Sequence, residues 1–402
     1  MEEPCRFVIV GEVDHGKSTL IGRILYDAGS IAQDKIKELQ SSGENSEFSC
    51  LLDHLEEERA QSRTIDTTEV FFKIGAKSYL IIDSPGHLEF IKNMITGSTH
   101  AEGAVLIVEA LSGIGDQTRR HLLLLSLLGI SRILVVVNKM DLAGFKEEIF
   151  LKLKSEIEPL FEKLGLKACG FIPVSALSGD NVIKRSKNMP YYRGGSLAEN
   201  LKKLKSSPAK KSACSFFSVQ DIYDVQSESI VVGPVLSGCI KRKSKVKILP
   251  QARTAKIESI CIYPRFTRTA VKGQNPGIVL SGVGKINRGD IISSLDFTKE
   301  ALSEFKAVIF WFSGSPVKRI ENLSIKCATQ ESSCIVEIER FLNTLTFDWQ
   351  NDCNGSGLEI TEAAIKTDSP IVVLDFYDLP ALGRFVLSIN GRVLAGGIVR
   401  MR

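Results

Sequence analysis

The chain has 402 residues, more than one hydrophobic core takes, so two or three domains are expected. With 44% hydrophobic and 24% charged residues it is neither disordered nor repeat-built in character, and a formal net charge of +4 is too small to make the whole molecule a polyanion binder. Nine cysteines, an odd number without a C-x-x-C pair, argue against a disulfide framework or a zinc site and read as reduced, mostly buried thiols of a cytoplasmic protein.

Residues 1–5 carry two acids, the reverse of a basic, apolar signal peptide, and a strand is expected at 7–10. It runs into Gly11-Glu12-Val13-Asp14-His15-Gly16-Lys17-Ser18, a full G-x-x-x-x-G-K-[ST] match, followed by Thr19 and a helix over 17–26. Glycines let such a loop wrap phosphates with backbone N–H groups at a helix N-terminus. Lys17 is the expected contact of the β- and γ-phosphates, and the Ser18 hydroxyl the expected ligand of Mg²⁺. Further on, Thr64 in Gln61-Ser62-Arg63-Thr64-Ile65-Asp66 is placed to close over that ion while the γ-phosphate is present.

A strand at 79–82 leads to Asp83-Ser84-Pro85-Gly86-His87. Asp83 is expected to hold a water of the Mg²⁺ shell and the Gly86 N–H to reach the γ-phosphate, while His87 orients the attacking water or stabilises developing charge. Strands at 104–108 and 133–137 flank a helix over 117–128; the apolar stretch 122–137, broken by Gly129, Ser131 and Arg132, is short of a membrane span, and no membrane association is expected. Asn138-Lys139-Met140-Asp141 follows. One carboxylate accepts both adjacent donors on the guanine edge, N1–H and the N2 amino group, so Asp141 is the expected base reader. Adenine lacks both donors and is rejected by on the order of 10⁴-fold at sites of this kind. A helix over 146–164 and a strand at 170–174 precede Ser175-Ala176-Leu177, whose backbone is expected to contact the guanine O6. His54, His100 and His121 have no such chemical setting, and His15 is a variable position of the loop.

The polar segment 202–211 reads as a linker, and after it the strand–helix rhythm gives way to short strands at 229–232, 245–249, 255–260 and 277–280. A second all-β stretch starts near 301, with strands at 307–312, 335–339, 371–376 and 383–389. The expected architecture is thus a multidomain α/β plus all-β chain: a P-loop GTPase domain over 1–207, its mostly parallel sheet covered by helices on both faces, then β-barrels over 208–300 and 301–402. Only the middle segment is basic, with 15 Lys and Arg against 7 acids. Its run Lys241, Arg242, Lys243, Lys245, Lys247 reads first as a solvated strand face and second as a patch for nucleic acid or an acidic partner.

These motifs, followed by two β-barrels, resemble the translation-factor superfamily of GTPases, which includes elongation factors Tu and 1-alpha. Within it the segments 18–27, 116–121, 128–130, 179–182, 189–192 and 247–250 are similar to the GTPase subunit of sulfate adenylyltransferase. That resemblance implies GTP and GDP as nucleotides, Mg²⁺, and a small adenylyltransferase partner whose synthesis of adenosine 5′-phosphosulfate is driven by GTP hydrolysis. The alternatives are an elongation-factor-like GTPase that binds aminoacyl-tRNA and the ribosome, and a divergent regulatory GTPase. Two departures stand out. Arg63 replaces the isoleucine that in the elongation factors gates the catalytic histidine together with the residue at Val13; it either stabilises transition-state charge or points to solvent. Asp14-His15 is closer to the elongation factors than to the paired acids of the sulfurylase subunit.

Overall fold

A computed structural model describes residues 4–30, 68–83, 91–92, 101–203, 214–225, 228–282, 284–312, 316–352 and 359–401. The chain divides into two compact units, Met1–Met94 with Ser98–Ser207 and Thr344–Phe347, and Ile95–Gly97 with Pro208–Asn343 and Asp348–Arg402. Among the described residues no helix is long and apolar enough to cross a membrane.

The first unit holds strands β1 (Cys5–Gly11), β2 (Thr68–Ile74), β3 (Lys77–Asp83), β4 (Gly103–Glu109), β5 (Ile133–Asn138) and β6 (Ala168–Pro173), in the sheet order β2-β3-β1-β4-β5-β6. Helices α1 (Lys17–Asp27), α2 (Asp116–Leu127), α3 (Glu147–Lys163) and α4 (Leu197–Lys203) belong to the same unit. β4 and β5 are buried along almost their whole length, as strands covered on both faces must be, which is why their sequences read as unbroken apolar runs. The β2 edge strand was not expected; it pairs antiparallel with β3 and makes the sheet mixed. α1 buries Leu20, Ile21, Ile24 and Leu25 as a single stripe. It stops where Gly29 takes φ 65° and the N–H groups of Gly29 and Ser30 return to the carbonyls of Tyr26 and Leu25. α4, which the sequence reading left out, takes in Lys202 and Lys203 of the expected linker; the rest of that linker lies outside the described residues.

The second unit opens with a nine-stranded antiparallel sheet whose two ends, Val235–Ser237 and Asp221–Val225, both contribute to one core with Val246, Ile248, Ile257 and Ile278. The sheet therefore curls around that core. The C-terminal part is a closed barrel. Leu302–Trp311, Glu359–Ile371, Gln330–Leu342, Arg319–Cys327, Arg384–Ile389 and Arg392–Val399 pair in turn, all antiparallel, and the last strand returns to the first. Gln330–Leu342 buries alternate residues, the pattern of a strand with one face to the core.

Residues 371–376 are not the strand that their apolar character suggested. Only Ile371 ends a strand; Val372 and Leu374 instead enter a cluster with Phe216, Leu249, Ile291, Phe297 and Leu382 that joins the two β domains. In place of a strand neighbour, the Gln330 side chain donates from Nε2 to the Val372 carbonyl at 2.9 Å and accepts the Val372 N–H on Oε1 at 2.7 Å. Of the seven described free cysteines only Cys327 and Cys334 are buried, which corrects the expectation of mostly buried thiols. Burial pushes both of these thiols up to about 12.

Candidate nucleotide-binding site

The sheet order places β1 between strands reached in opposite directions along the chain, so the crevice at its C-terminal end is a topological switch point. Gly11, Asp83, Glu109 and Asn138 end β1, β3, β4 and β5, and Ser175-Ala176-Leu177 follows β6; these residues thus gather at the C-terminal ends of the parallel strands. Side chains from sequence-distant loops converge there because parallel strands deliver every connection of this kind to the same end.

The phosphate-loop backbone turns left-handed at Asp14 (φ 64°) and Gly16 (φ 84°) and then enters α1 without a side-chain cap. The N–H groups at this helix start are left to face an anion. A Cβ on Gly16 would lie 2.5 Å from Asn138 Nδ2, so both the backbone angle and the neighbour require glycine here. Lys17 Nζ donates to the carbonyls of Gly11 at 2.9 Å and Glu12 at 2.7 Å, which folds its ammonium over the loop. Burial pushes Lys17 below the ordinary lysine range, while the carboxylates of Asp83, Asp14 and Glu12 pull the other way. Ser18 and Thr19 occupy the first turn of α1.

Asn138 is 1% exposed and ties three segments together. Its Nδ2 donates to the His15 carbonyl at 2.9 Å, and its Oδ1 accepts the Ala176 N–H at 3.0 Å. The phosphate loop and the loop after β6 are held in register by this one amide. His15 is 3% exposed, and its Nδ1 accepts the Glu109 N–H at 3.3 Å. A backbone N–H only donates, so the 3.4 Å approach of the Ile107 carbonyl to the same nitrogen is a contact and not a hydrogen bond. Lys139, at φ 61°, pairs with Glu109 at 3.1 Å. Burial raises the Glu109 carboxyl, but hydrogen bonds from Lys139 and Ser112 outweigh it and leave it below the usual range.

Asp141 behaves differently from these neighbours. Its Oδ1 is buried and has no hydrogen-bond partner among the described residues. An unpaired buried carboxylate oxygen costs several kcal/mol unless a ligand satisfies it, on the order expected for charged groups. In the loop after β6, the Ser175 and Ala176 N–H groups are committed to the Asp180 carbonyl and to Asn138 Oδ1. Of the three backbone N–H groups expected at the guanine O6, only that of Leu177 has no partner among the described residues. Arg23 of α1 donates to the Leu177 carbonyl at 3.1 Å, a second tie between the phosphate helix and this loop.

Thr64, Gly86 and His87, with Arg63, lie outside the described residues. Val13 is 68% exposed. Glu12, to which the sequence reading gave no role, caps α2: its Oε1 accepts both the N–H and the hydroxyl of Thr118 at 3.1 Å. Only the fold reveals that contact, because the two residues are 106 positions apart. The arrangement offers a cationic, N–H-lined cradle at one end and an unsatisfied carboxylate at the other.

Residues 2–228 match the family described as the elongation factor Tu GTP binding domain, and residues 304–400 the GTP-eEF1A C-terminal domain-like family. The elongation factor 1-alpha of Methanothermobacter thermautotrophicus is 34% identical over 407 residues, with 99% of this chain and 97% of that protein covered. That of Aeropyrum pernix is 36% identical over 424 residues, covering 98% and 95%. Sup35 complexed with GDP, at 22% identity and a TM-score of 0.43 over 100% of this chain and 95% of its own, is too distant to add to these.

Proposed function

The chain belongs to the translation-factor GTPase family of elongation factors Tu and 1-alpha, and on that premise we propose that it binds and hydrolyses GTP here and acts in the cytoplasm as an elongation-factor-like GTPase on aminoacyl-tRNA and the ribosome. The observation that carries the nucleotide assignment is the buried Asp141 Oδ1, without a partner among the described residues, three positions after the Asn138 that ties the loop holding Lys17 to the loop after β6. The translation role rests on the relatives, which carry the elongation factor 1-alpha name over nearly the whole chain.

The residues divide the work by charge. The α1 N-terminus and Lys17 hold the phosphates, and an arriving phosphate replaces the Gly11 and Glu12 carbonyls as acceptor of the Lys17 ammonium. Asp141 pairs with the guanine edge and Leu177 offers its N–H to O6, while Asn138 and Arg23 keep these loops at a fixed spacing. Ser18 and Asp83, with Thr64 assigned by its motif, are the donors to hold magnesium, which when bound neutralises charge on the β- and γ-phosphates. His87, assigned from the motif alone, orients the attacking water. His87→Ala is then expected to retain GTP affinity and slow turnover.

The reading that the sequence favoured, a sulfate-activating subunit with a small adenylyltransferase partner, draws no support from the named relatives; the alternative given beside it does. Gel retardation of charged tRNA by the full chain with a non-hydrolysable GTP analogue, and separately with GDP, tests this choice. Retention in the GTP-analogue state alone is expected. No retention in either state, together with GTP-stimulated formation of adenosine phosphosulfate when the adenylyltransferase subunit is added, would return the sulfate reading.

A further inference from the structure

Strand β2 (Thr68–Ile74) ends the sheet order of the first unit, and among the described residues no strand pairs with its outer side. All seven of its residues run against β3 in continuous register, without a bulge, and its sequence holds no proline. A row of N–H and C=O groups along one flank is a template for another strand. Natural sheets usually blunt such a flank with a bulge, a proline or a bare charge, and β2 has neither of the first two.

The side chains of β2 alternate. Val70, Phe72 and Ile74 are buried in the core that also holds Leu20 and Ile21 of α1, so Glu69, Phe71 and Lys73 share the other face. Phe71 is 58% exposed at the centre of the three, and Lys73 is exposed beyond it. One exposed ring is ordinary on a protein surface; the order of the three residues is what points to a partner. About Phe71 the strand is complementary to its own reverse: antiparallel pairing that sets Phe71 opposite Phe71 also sets Glu69 opposite Lys73 on both sides, and Val70 opposite Phe72. In-register parallel pairing faces each charge with its like. Sliding one copy by two residues puts Phe71 opposite a charge and leaves neither ion pair, and sliding it by one mismatches the faces.

We propose that β2 is a homodimer edge, through which two copies of this chain join antiparallel with Phe71 on the twofold axis, so that the six strands of each sheet continue into twelve. A twofold axis lets one patch serve both partners. Directly opposite residues of antiparallel strands have Cβ atoms about 4.5–5.5 Å apart, which brings the two Phe71 rings into contact and each Glu69 within reach of the partner copy's lysine. A carboxylate has acceptor sites for more than one donor, so the Glu69 bonds within its own chain do not prevent this. An unrelated strand has no reason to match a pattern whose reverse exchanges its own charges. A seven-residue edge is at the small end of interfaces, so association in the micromolar range is expected. The edge pairing is independent of the proposed function.

Sedimentation velocity of the full chain over a concentration series tests this. The parent should pass from monomer to dimer in the micromolar range. Phe71→Asp, which puts two carboxylates on the axis, should stay monomeric at every concentration that dimerises the parent. Glu69→Lys and Lys73→Glu each turn two attractive pairs into repulsive ones and should weaken the dimer about tenfold. The combined Glu69→Lys/Lys73→Glu exchange restores both pairs and should return the dissociation constant to within about threefold of the parent's. Phe71 and Lys73 are exposed, so the core is kept, and the rescue by exchange is a result that a damaged fold does not give. A parent that is monomeric throughout, a Phe71→Asp variant that dimerises like the parent, or an exchange variant no better than the single ones would overturn the proposal.

Discussion

Two buried side-chain amides, one in each unit, make the same pair of hydrogen bonds for different ends. Asn138, 1% exposed, joins the His15 carbonyl to the Ala176 N–H; Gln330, 5% exposed, joins both main-chain groups of Val372. In the barrel the amide stands in for a missing strand neighbour, so its contribution is to stability. At the C-terminal ends of the strands it fixes the spacing of two loops, and three residues further on Asp141 has a buried Oδ1 without a hydrogen-bond partner among the described residues. A buried polar atom left over beside a satisfied network is one whose missing partner a ligand can supply.

Asp141→Asn is expected to have the largest effect. An amide donates to the xanthine O2 that a carboxylate repels, so preference between GTP and XTP should shift by on the order of 10³–10⁴-fold, read by competition titration. Equal GTP affinity in variant and parent would remove the assigned pocket. Next, Asn138→Ala should weaken GTP binding by about a hundredfold, because the phosphate and base loops lose their shared tie. Gln330→Ala sharpens the contrast: denaturant unfolding should show a loss of about 1–3 kcal/mol from the two stranded Val372 groups, with the GTP dissociation constant unchanged. A fall in GTP affinity there equal to that of Asn138→Ala would end the distinction.

Smaller effects follow from the supports of the site. Glu12→Ala should lower stability by about 1 kcal/mol through the lost cap of α2, checked by thermal unfolding. The smallest concerns Glu109. Its carboxyl lies below the usual range in the fold, so the stability gained from Lys139 is present above the unfolded glutamate pKa and is lost as pH falls through the lower folded value. Lys139→Met should flatten that acid limb in a pH series of unfolding midpoints; an unchanged limb would assign it elsewhere.

What the sequence discloses depends on whether a residue's partners are near it in the chain. Strands β1, β4 and β5 are legible because burial on both faces forces an unbroken apolar run, and each motif follows such a strand directly. The β2 edge is hidden, since an edge strand keeps one side in water and Phe71 is 58% exposed. Residues 371–376 mislead for the opposite reason: they are apolar enough for a strand, but a side-chain amide from 42 positions away pairs Val372, and the N–H groups of Leu374 and Phe376 donate to the isolated carbonyls of Leu382 and Val399. In the site, the contiguous motifs name Lys17, Asn138 and Asp141. Glu12 with Thr118 and Arg23 with Leu177 are contacts that only the folded unit creates.

Calorimetric titration of the full chain with GTP and magnesium, repeated with ATP as competitor, bears most directly on the pocket. The orphaned Asp141 oxygen and the Lys17 cradle predict saturable GTP binding that ATP at equal concentration leaves unchanged. An absence of heat with GTP, or displacement by ATP at equal concentration, would contradict the account.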